Sequence, residues 1–350
     1  MKIGIPKEIK TLEARVALLP SACAELVKQG HEVMIQSTAG VGAGYGDQDY
    51  AAVGCQILST AKDIYSHAEL VVKVKEPQPE EVALLTERQI LFSYLHLAAV
   101  PELTKLLCDS GVTAIGFETV QVGHLLPLLA PMSDIAGRLS VQIGANLLQQ
   151  QHGGRGVLLG GLPGAERGNV VILGAGVAGT NAAIIAQALG ANVTIFDPNR
   201  DKLAQARALG PNVTGLHSIG HDMEHHVKQA DLLVGAVLIP GTKAPKLVSR
   251  DWVSAMNPGS VIIDISVDQG GCIETTHPTN YAEPTYLVDE VVHFGVTNMP
   301  GAVPRSASQA LSAALLPYIL RLTAQDWKQD SELVSGVNVE AGQIILPALK

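Results

Sequence analysis

The stretch LVVKVKEP, residues 70 to 77, ends an apolar run with two lysines, Lys73 and Lys75, two positions apart. In a strand that spacing puts both amines on one face, which a buried sheet tolerates only when the charges are paired or used. Lys75 stands last before Glu76-Pro77 breaks the run, at the carboxyl end of its strand. His96 closes a second such run, QILFSYLH, and Arg15 follows the first strand within TLEARVALLP. An amine that can polarise a carbonyl, an imidazole that moves protons near neutral pH, and a guanidinium fork that grips a carboxylate together suit an α-keto or α-amino acid. Singly, each has a plainer reading. Arg15 reads as a surface ion-pair partner, His96 as a hydrogen-bonded structural residue, and Lys73 as a chain snorkelling to a sheet edge. Only the constellation points to chemistry.

The elements that must hold these residues alternate. KIGIP, a helix near Ser21 to Gly30, HEVMIQ, LVVKVK, QILFSYL and TAIGFE read as strands and helices in turn, so the sheet is mainly parallel and wound on both sides. Such sheets place ligands beyond the carboxyl ends of their strands. A long helix over Met132 to Gln151 carries the chain onward to a second α/β unit, from NVVILGAGVAG through VTIFD, ADLLVGAV and SVIIDIS to about Met299, after which a helix over Ser306 to Thr323 returns to the first.

That second unit opens with Gly174, Gly176 and Gly179 in G-x-G-x-x-G spacing, directly after a β-branched strand and at the start of a helix. The first glycine permits the tight turn, the second lets a pyrophosphate approach the backbone, and the third lets helix pack on strand. The next strand ends in Asp197, where a carboxylate either accepts hydrogen bonds from an adenosine ribose or caps the helix after Pro198. A carboxylate there repels a 2′-phosphate, so NAD is the expected cofactor, although Arg200 lies close by. Val237 to Gly241, after a later strand, are placed under the cofactor. The expected fold class is therefore α/β, two doubly wound domains with an active-site cleft between them. Residues 1–131 with 307–350 form a discontinuous substrate domain, and 132–306 form a Rossmann dinucleotide-binding domain.

Composition excludes several other classes. With 33 acidic against 24 basic side chains and no basic block, neither nucleic acid nor an anionic membrane is an expected partner. The uncharged run from Asn169 to Phe196 is long enough for a bilayer, but its clustered glycines and second apolar run after Gly190 spell strand, turn, helix, strand. Four separated cysteines without a C-x-x-C pair, and an N-terminus without an apolar h-region, fit a reducing cytoplasm. His221 and His225 in HDMEH match an H-x-x-E-H pattern, yet they lie between strands of the nucleotide domain with no evident partner ligand, so no metal is expected.

Taken in order, GIPKE, EARVALLP, KVKEP, FSYLHLA, APMSDIAGR, GGRGVLLGG, GAGVAG, VLIPGTKAPKLV, DQGGC and TNMPGAVP resemble the alanine dehydrogenases, from Lys2 to about Trp327. The resemblance implies that Arg15 binds the substrate carboxylate, Lys75 polarises the keto oxygen, His96 is the acid/base, and Asp268 is an essential aspartate beside the nicotinamide. To the cofactor set it adds Ser133, Val177, Ala178, Val237, Leu238, Asn298 and Met299, with Asp268 again. The implied reaction is reversible oxidative deamination of L-alanine by NAD to pyruvate and ammonium, by a cytoplasmic homohexamer. A transhydrogenase NAD-binding component is similar across both domains, but it lacks the counterparts of His96 and of the second lysine of KVKEP. A nonenzymatic NAD sensor would have no need of Arg15, Lys75 and His96 together.

Overall fold

The computed structural model describes residues 1–238 and 243–350. It divides into two units, Met1–Met132 with Gly301–Lys350, and Ser133–Pro300.

In the first unit the strands among the described residues form one sheet in the spatial order Gln343–Ile344, Val337–Glu340, Thr113–Gly116, Ile90–Ser93, Leu70–Val72, Lys2–Ile5, Glu32–Gln36, Gln56–Leu58. From Thr113–Gly116 to Gln56–Leu58 every pairing is parallel. Strand order reverses between Lys2–Ile5 and Leu70–Val72, which makes this the switch point where the crossovers diverge to opposite faces. Ile3, Ile5, Leu70, Val71 and Leu91 are fully buried, as expected where helices cover both faces. Gly4 permits that cover to sit close, since a Cβ there would lie 2.7 Å from Ala68 Cβ and 2.8 Å from Ile64 Cγ2 of the overlying helix region.

The run LVVKVK is regular strand only over Leu70–Val72. Ladder bonding nevertheless continues, because Lys73 N–H donates to Phe92 O at 3.2 Å and Tyr94 N–H donates to Val74 O at 3.1 Å. Residues past Trp327 also belong to this sheet. Val337–Glu340 runs antiparallel to Thr113–Gly116 and Gln343–Ile344 folds back on it, so the tail closes one edge.

The second unit's sheet runs Thr285–Val288, Val291–Phe294, Val261–Asp264, Leu232–Gly235, Asn169–Leu173, Asn192–Phe196, Val213–Leu216. All pairings are parallel except the outermost, Thr285–Val288 against Val291–Phe294. The uncharged run resolves into strand Asn169–Leu173, helix Val177–Ala188 and strand Asn192–Phe196. Ala182, Ala183 and Ala186 are fully buried on that helix, whose small side chains let it lie close on the sheet. No helix among the described residues is long and apolar enough to cross a membrane.

Candidate active site

Register puts the strand ends of the second unit in one row. Phe196 pairs with Leu173, Leu173 with Gly235, and Gly235 with Asp264, so the segments leaving these strands emerge side by side. Gly174 turns out of the first with φ +98°, and a Cβ on it would meet Ala236 O at 2.7 Å, so only glycine fits between the diverging strands. Gly179 is required by packing, since a Cβ would sit 1.8 Å from Gly174 O. Gly176 differs, because a Cβ there would meet no atom of the described residues within 4 Å. Its small size is imposed by none of the described residues. Open space over a glycine, at the N-terminus of helix Val177–Ala188, is the cradle a pyrophosphate needs, and the first N–H groups of the helix lack intrahelical partners.

Asp197 is buried and organises this turn. Its Oδ2 accepts from Ala175 N–H at 2.8 Å and its Oδ1 from Asn199 N–H at 2.8 Å. The cap of helix Arg200–Arg207 is Asn199, whose side chain accepts from Asp201 N–H and Lys202 N–H. Asp197 is therefore not the cap, and a carboxylate with about four acceptor positions retains capacity for a ribose.

Val237 is half-buried and its carbonyl accepts from Ser266 Oγ at 2.7 Å, while Leu238 is exposed. The remainder of the expected stretch, Ile239 to Gly241, lies outside the described residues. Asp268 is exposed on the short turn Val267–Gln269. Asp264, four residues earlier in the chain, is buried and was overlooked in the sequence reading. Its carboxylate accepts from Thr276 Oγ1 at 2.7 Å, Cys272 N–H at 2.9 Å and Ser266 N–H at 3.0 Å, tying the DQGGC loop to the strand end. Burial pushes Asp264 upward against these hydrogen bonds. Asn298 is half-buried, and Met299 is buried with its carbonyl held by Tyr281 OH at 3.0 Å. Ser133 lies in the first turn of helix Ala130–Leu147, and Val177 and Ala178 open the helix after Gly176.

In the first unit, Arg15, Lys75 and His96 all follow carboxyl ends of parallel strands. Lys73 does not snorkel to an edge. It is buried, with Nζ 3.0 Å from Glu8 Oε2 and 3.2 Å from Glu81 Oε2, and it also donates to Lys75 O at 3.0 Å. Burial works against its charge, but the two carboxylates outweigh that and hold the amine above its ordinary value. Glu8 Oε1 accepts from Val74 N–H at 2.5 Å, so this buried set fixes the backbone that carries Lys75. Lys75 itself approaches Glu76 Oε2 at 3.8 Å, and Lys10 pairs with the other oxygen of that carboxylate. Burial pushes the Lys75 amine down; Lys10 and Arg15 add to this, against Glu76 and Glu13.

Arg15 is buried and bidentate with Glu13, Nε to Oε1 at 2.7 Å and Nη2 to Oε2 at 2.6 Å. Burial opposes its charge, and the Glu13 pair more than restores it. His96 is half-buried, stacked on Tyr94 at 5.9 Å between ring centroids, and Tyr94 in turn feels the charges of Arg15 and Glu118. Its backbone is left-handed at φ 50°, unusual for a residue with a side chain. Glu118 secures that conformation, accepting from His96 N–H at 2.6 Å and Leu95 N–H at 3.0 Å. Glu8, Glu13 and Glu118 all escaped the sequence reading. A local signal existed only for Glu13, two residues before Arg15; Glu8 and Glu118 meet Lys73 and His96 from 65 and 22 positions away.

His221 and His225 sit on helix Gly220–Lys228, where Glu224 pairs with Lys228 at 2.6 Å. Among the described residues no group of three or more His, Cys, Asp or Glu is placed to hold a metal ion.

Two family models match the chain, the alanine dehydrogenase/PNT N-terminal domain over residues 4–136 and the alanine dehydrogenase/PNT C-terminal domain over residues 140–347. Alanine dehydrogenase from Halomonas elongata is 49% identical, with 100% of this chain and 96% of the relative covered. That from Bacillus subtilis is 47% identical over 100% of this chain and 94% of the relative. Among solved structures, an L-alanine dehydrogenase superposes with TM-score 0.96 at 54% identity, covering 100% of this chain and 98% of the other. A transhydrogenase from Sinorhizobium meliloti has TM-score 0.86 at 24% identity, covering 99% and 100%, and shares the fold.

Proposed function

This chain belongs to the alanine dehydrogenase/PNT family, and from that membership and the geometry above we propose that it catalyses the reversible, NAD-dependent oxidative deamination of L-alanine. L-Alanine, NAD⁺ and water give pyruvate, ammonium, NADH and a proton. The observation that carries the reading is that Arg15, Lys75 and His96 all follow carboxyl ends of the first sheet's strands, with Arg15 within electrostatic reach of Lys75 and of Tyr94, on which His96 stacks, in a chain whose second sheet carries a complete glycine cradle.

NAD, when bound, accepts the hydride from the substrate α-carbon. Gly174, Gly176, Val177, Ala178 and Gly179 hold its pyrophosphate and Asp197 its ribose. Ser133, Val237, Leu238, Asn298, Met299 and Asp268 line the remainder of that site. Arg15 grips the substrate carboxylate and fixes which face of the α-carbon is presented. Lys75 donates to the keto oxygen as negative charge grows there. His96 moves protons as water adds and ammonia leaves, on a backbone that Glu118 holds in place. Unit Ser133–Pro300 is then the NAD-binding domain, and Met1–Met132 with Gly301–Lys350 the substrate domain. The working form is a cytoplasmic homohexamer acting on small molecules alone.

The test follows NADH absorbance with pyruvate plus ammonium, beside pyruvate alone, glyoxylate plus ammonium, and NADPH in place of NADH. Oxidation that requires both ammonium and pyruvate supports the reading. Intact NADH binding without such turnover overturns it.

A further inference from the structure

We propose that Glu13 is a positioning residue for the substrate: its carboxylate holds Arg15 side-on, through Nε and Nη2, so that the Nη1 edge meets the carboxylate of an α-keto or α-amino acid. The inference rests on the dehydrogenase reading of the site. Glu13 Oε1 accepts from Arg15 Nε at 2.7 Å and from the Arg15 backbone N–H at 3.1 Å, while Oε2 accepts from Nη2 at 2.6 Å. Both ends of the arginine side chain are thus pinned to one carboxylate, which sets the plane of the guanidinium. The two side chains are 2% and 1% exposed, so solvent does not set this geometry.

At the other edge Nη1 donates to Met132 Sδ at 3.1 Å. A thioether is a weak acceptor, so a ligand carboxylate in its place gains a charge-assisted hydrogen bond. Glu13 also offsets the buried charge of Arg15 when no substrate is bound. The extra negative charge that substrate brings is met by Lys75, which lies within electrostatic reach of both Arg15 and Glu13.

Wild type, Glu13→Gln and Glu13→Asp are compared by initial rates against pyruvate at saturating NADH and ammonium, with NADH affinity titrated separately. Glutamine keeps the shape but turns an amide N–H toward the guanidinium donors, so KM for pyruvate rises by about tenfold to a hundredfold. On the same basis kcat stays within about threefold, because the reacting carbonyl loses no donor. NADH affinity is unchanged. Glu13→Asp keeps the charge with shorter reach, and it carries the test, with a KM rise of about threefold, if Glu13→Gln fails to fold. An unchanged KM, or a loss confined to kcat, overturns the positioning role. A fall in KM overturns it too, by making Glu13 a competitor of the substrate. Wild type that binds NADH but does not turn over pyruvate removes the dehydrogenase reading and this role with it. An active wild type with a flat KM across the variants removes the Glu13 role alone.

Discussion

The carboxyl edges of the two sheets invite comparison. In the first unit Lys2–Ile5 and Leu70–Val72 lie side by side where the strand order reverses, and in the second Asn169–Leu173 and Leu232–Gly235 do the same. Each reversal opens a crevice, and the two are furnished oppositely. The second is furnished with backbone: Gly174 turns at φ +98° against Ala236 O, and Gly176 leaves room that no described side chain takes. The first is furnished with side chains: Glu8 reaches across to Val74 N–H and Lys73, and Lys75 and Arg15 stand beyond them. Topology supplies the crevice, and residue type decides what it recognises. Backbone N–H groups suit a diphosphate whose identity is constant, whereas charged side chains suit a small acid that must be both held and activated.

The largest effect that would sharpen this contrast lies in the two lysines. Lys75→Ala should lower kcat/KM for pyruvate by about 10²–10³-fold, the loss typical of one donor to a developing oxyanion, with NADH affinity and unfolding midpoint little changed. Lys73→Ala should instead cost about 3–5 kcal/mol of stability in denaturant unfolding, because Glu8 and Glu81 are left buried without their cation. The reverse pattern, with turnover lost at Lys73 and kept at Lys75, would falsify the division of labour.

A smaller effect separates the glycines of the other crevice. Gly179→Ala drives a Cβ into Gly174 O and should destabilise the fold by about 1–3 kcal/mol. Gly176→Ala meets no atom of the described residues, and its φ of −76° suits alanine, so stability should stay within about 0.5 kcal/mol. Its cost should fall on the cofactor, with the NADH Kd rising about tenfold as the methyl group meets the pyrophosphate. Equal NADH affinity in Gly176→Ala and wild type would show that the open space is not the diphosphate cradle.

These two crevices were unequally legible in the sequence. Strand, glycine turn, helix and strand lie consecutively between Asn169 and Phe196, so local pattern alone wrote them out. Glu8 and Glu118 of the first crevice obey no local pattern. Glu8 meets Lys73 across 65 positions and Glu118 meets His96 across 22, distances that only the parallel pairing of the strands closes. The left-handed backbone of His96 was hidden for the same reason, since it depends on an acceptor from another strand's end. Strands Val337–Glu340 and Gln343–Ile344 were missed because an edge register is set by its neighbour, Thr113–Gly116, and not by residues within the tail.

The smallest effect tests whether the charges of the first crevice act as one set. Burial first, and then the positive neighbours Lys10 and Arg15, hold the Lys75 amine below the ordinary lysine value of 10.5. If Lys75 serves as an ammonium donor, KM for pyruvate should rise as pH climbs through that lowered pKa, while the NADH Kd stays flat. Stability should respond with the opposite sign. Between the lowered value and 10.5 the unfolded chain binds the Lys75 proton and the folded chain does not, so the contribution of Lys75 to stability improves with rising pH. Below that window the folded protein bears the full penalty of a buried ammonium, which Lys75→Met removes. The stability advantage of Lys75→Met over wild type should therefore shrink as pH is raised, across the same interval in which wild type loses pyruvate affinity. An alkaline limb in pyruvate KM that persists in Lys75→Arg, whose side chain does not deprotonate, would assign the limb to another group.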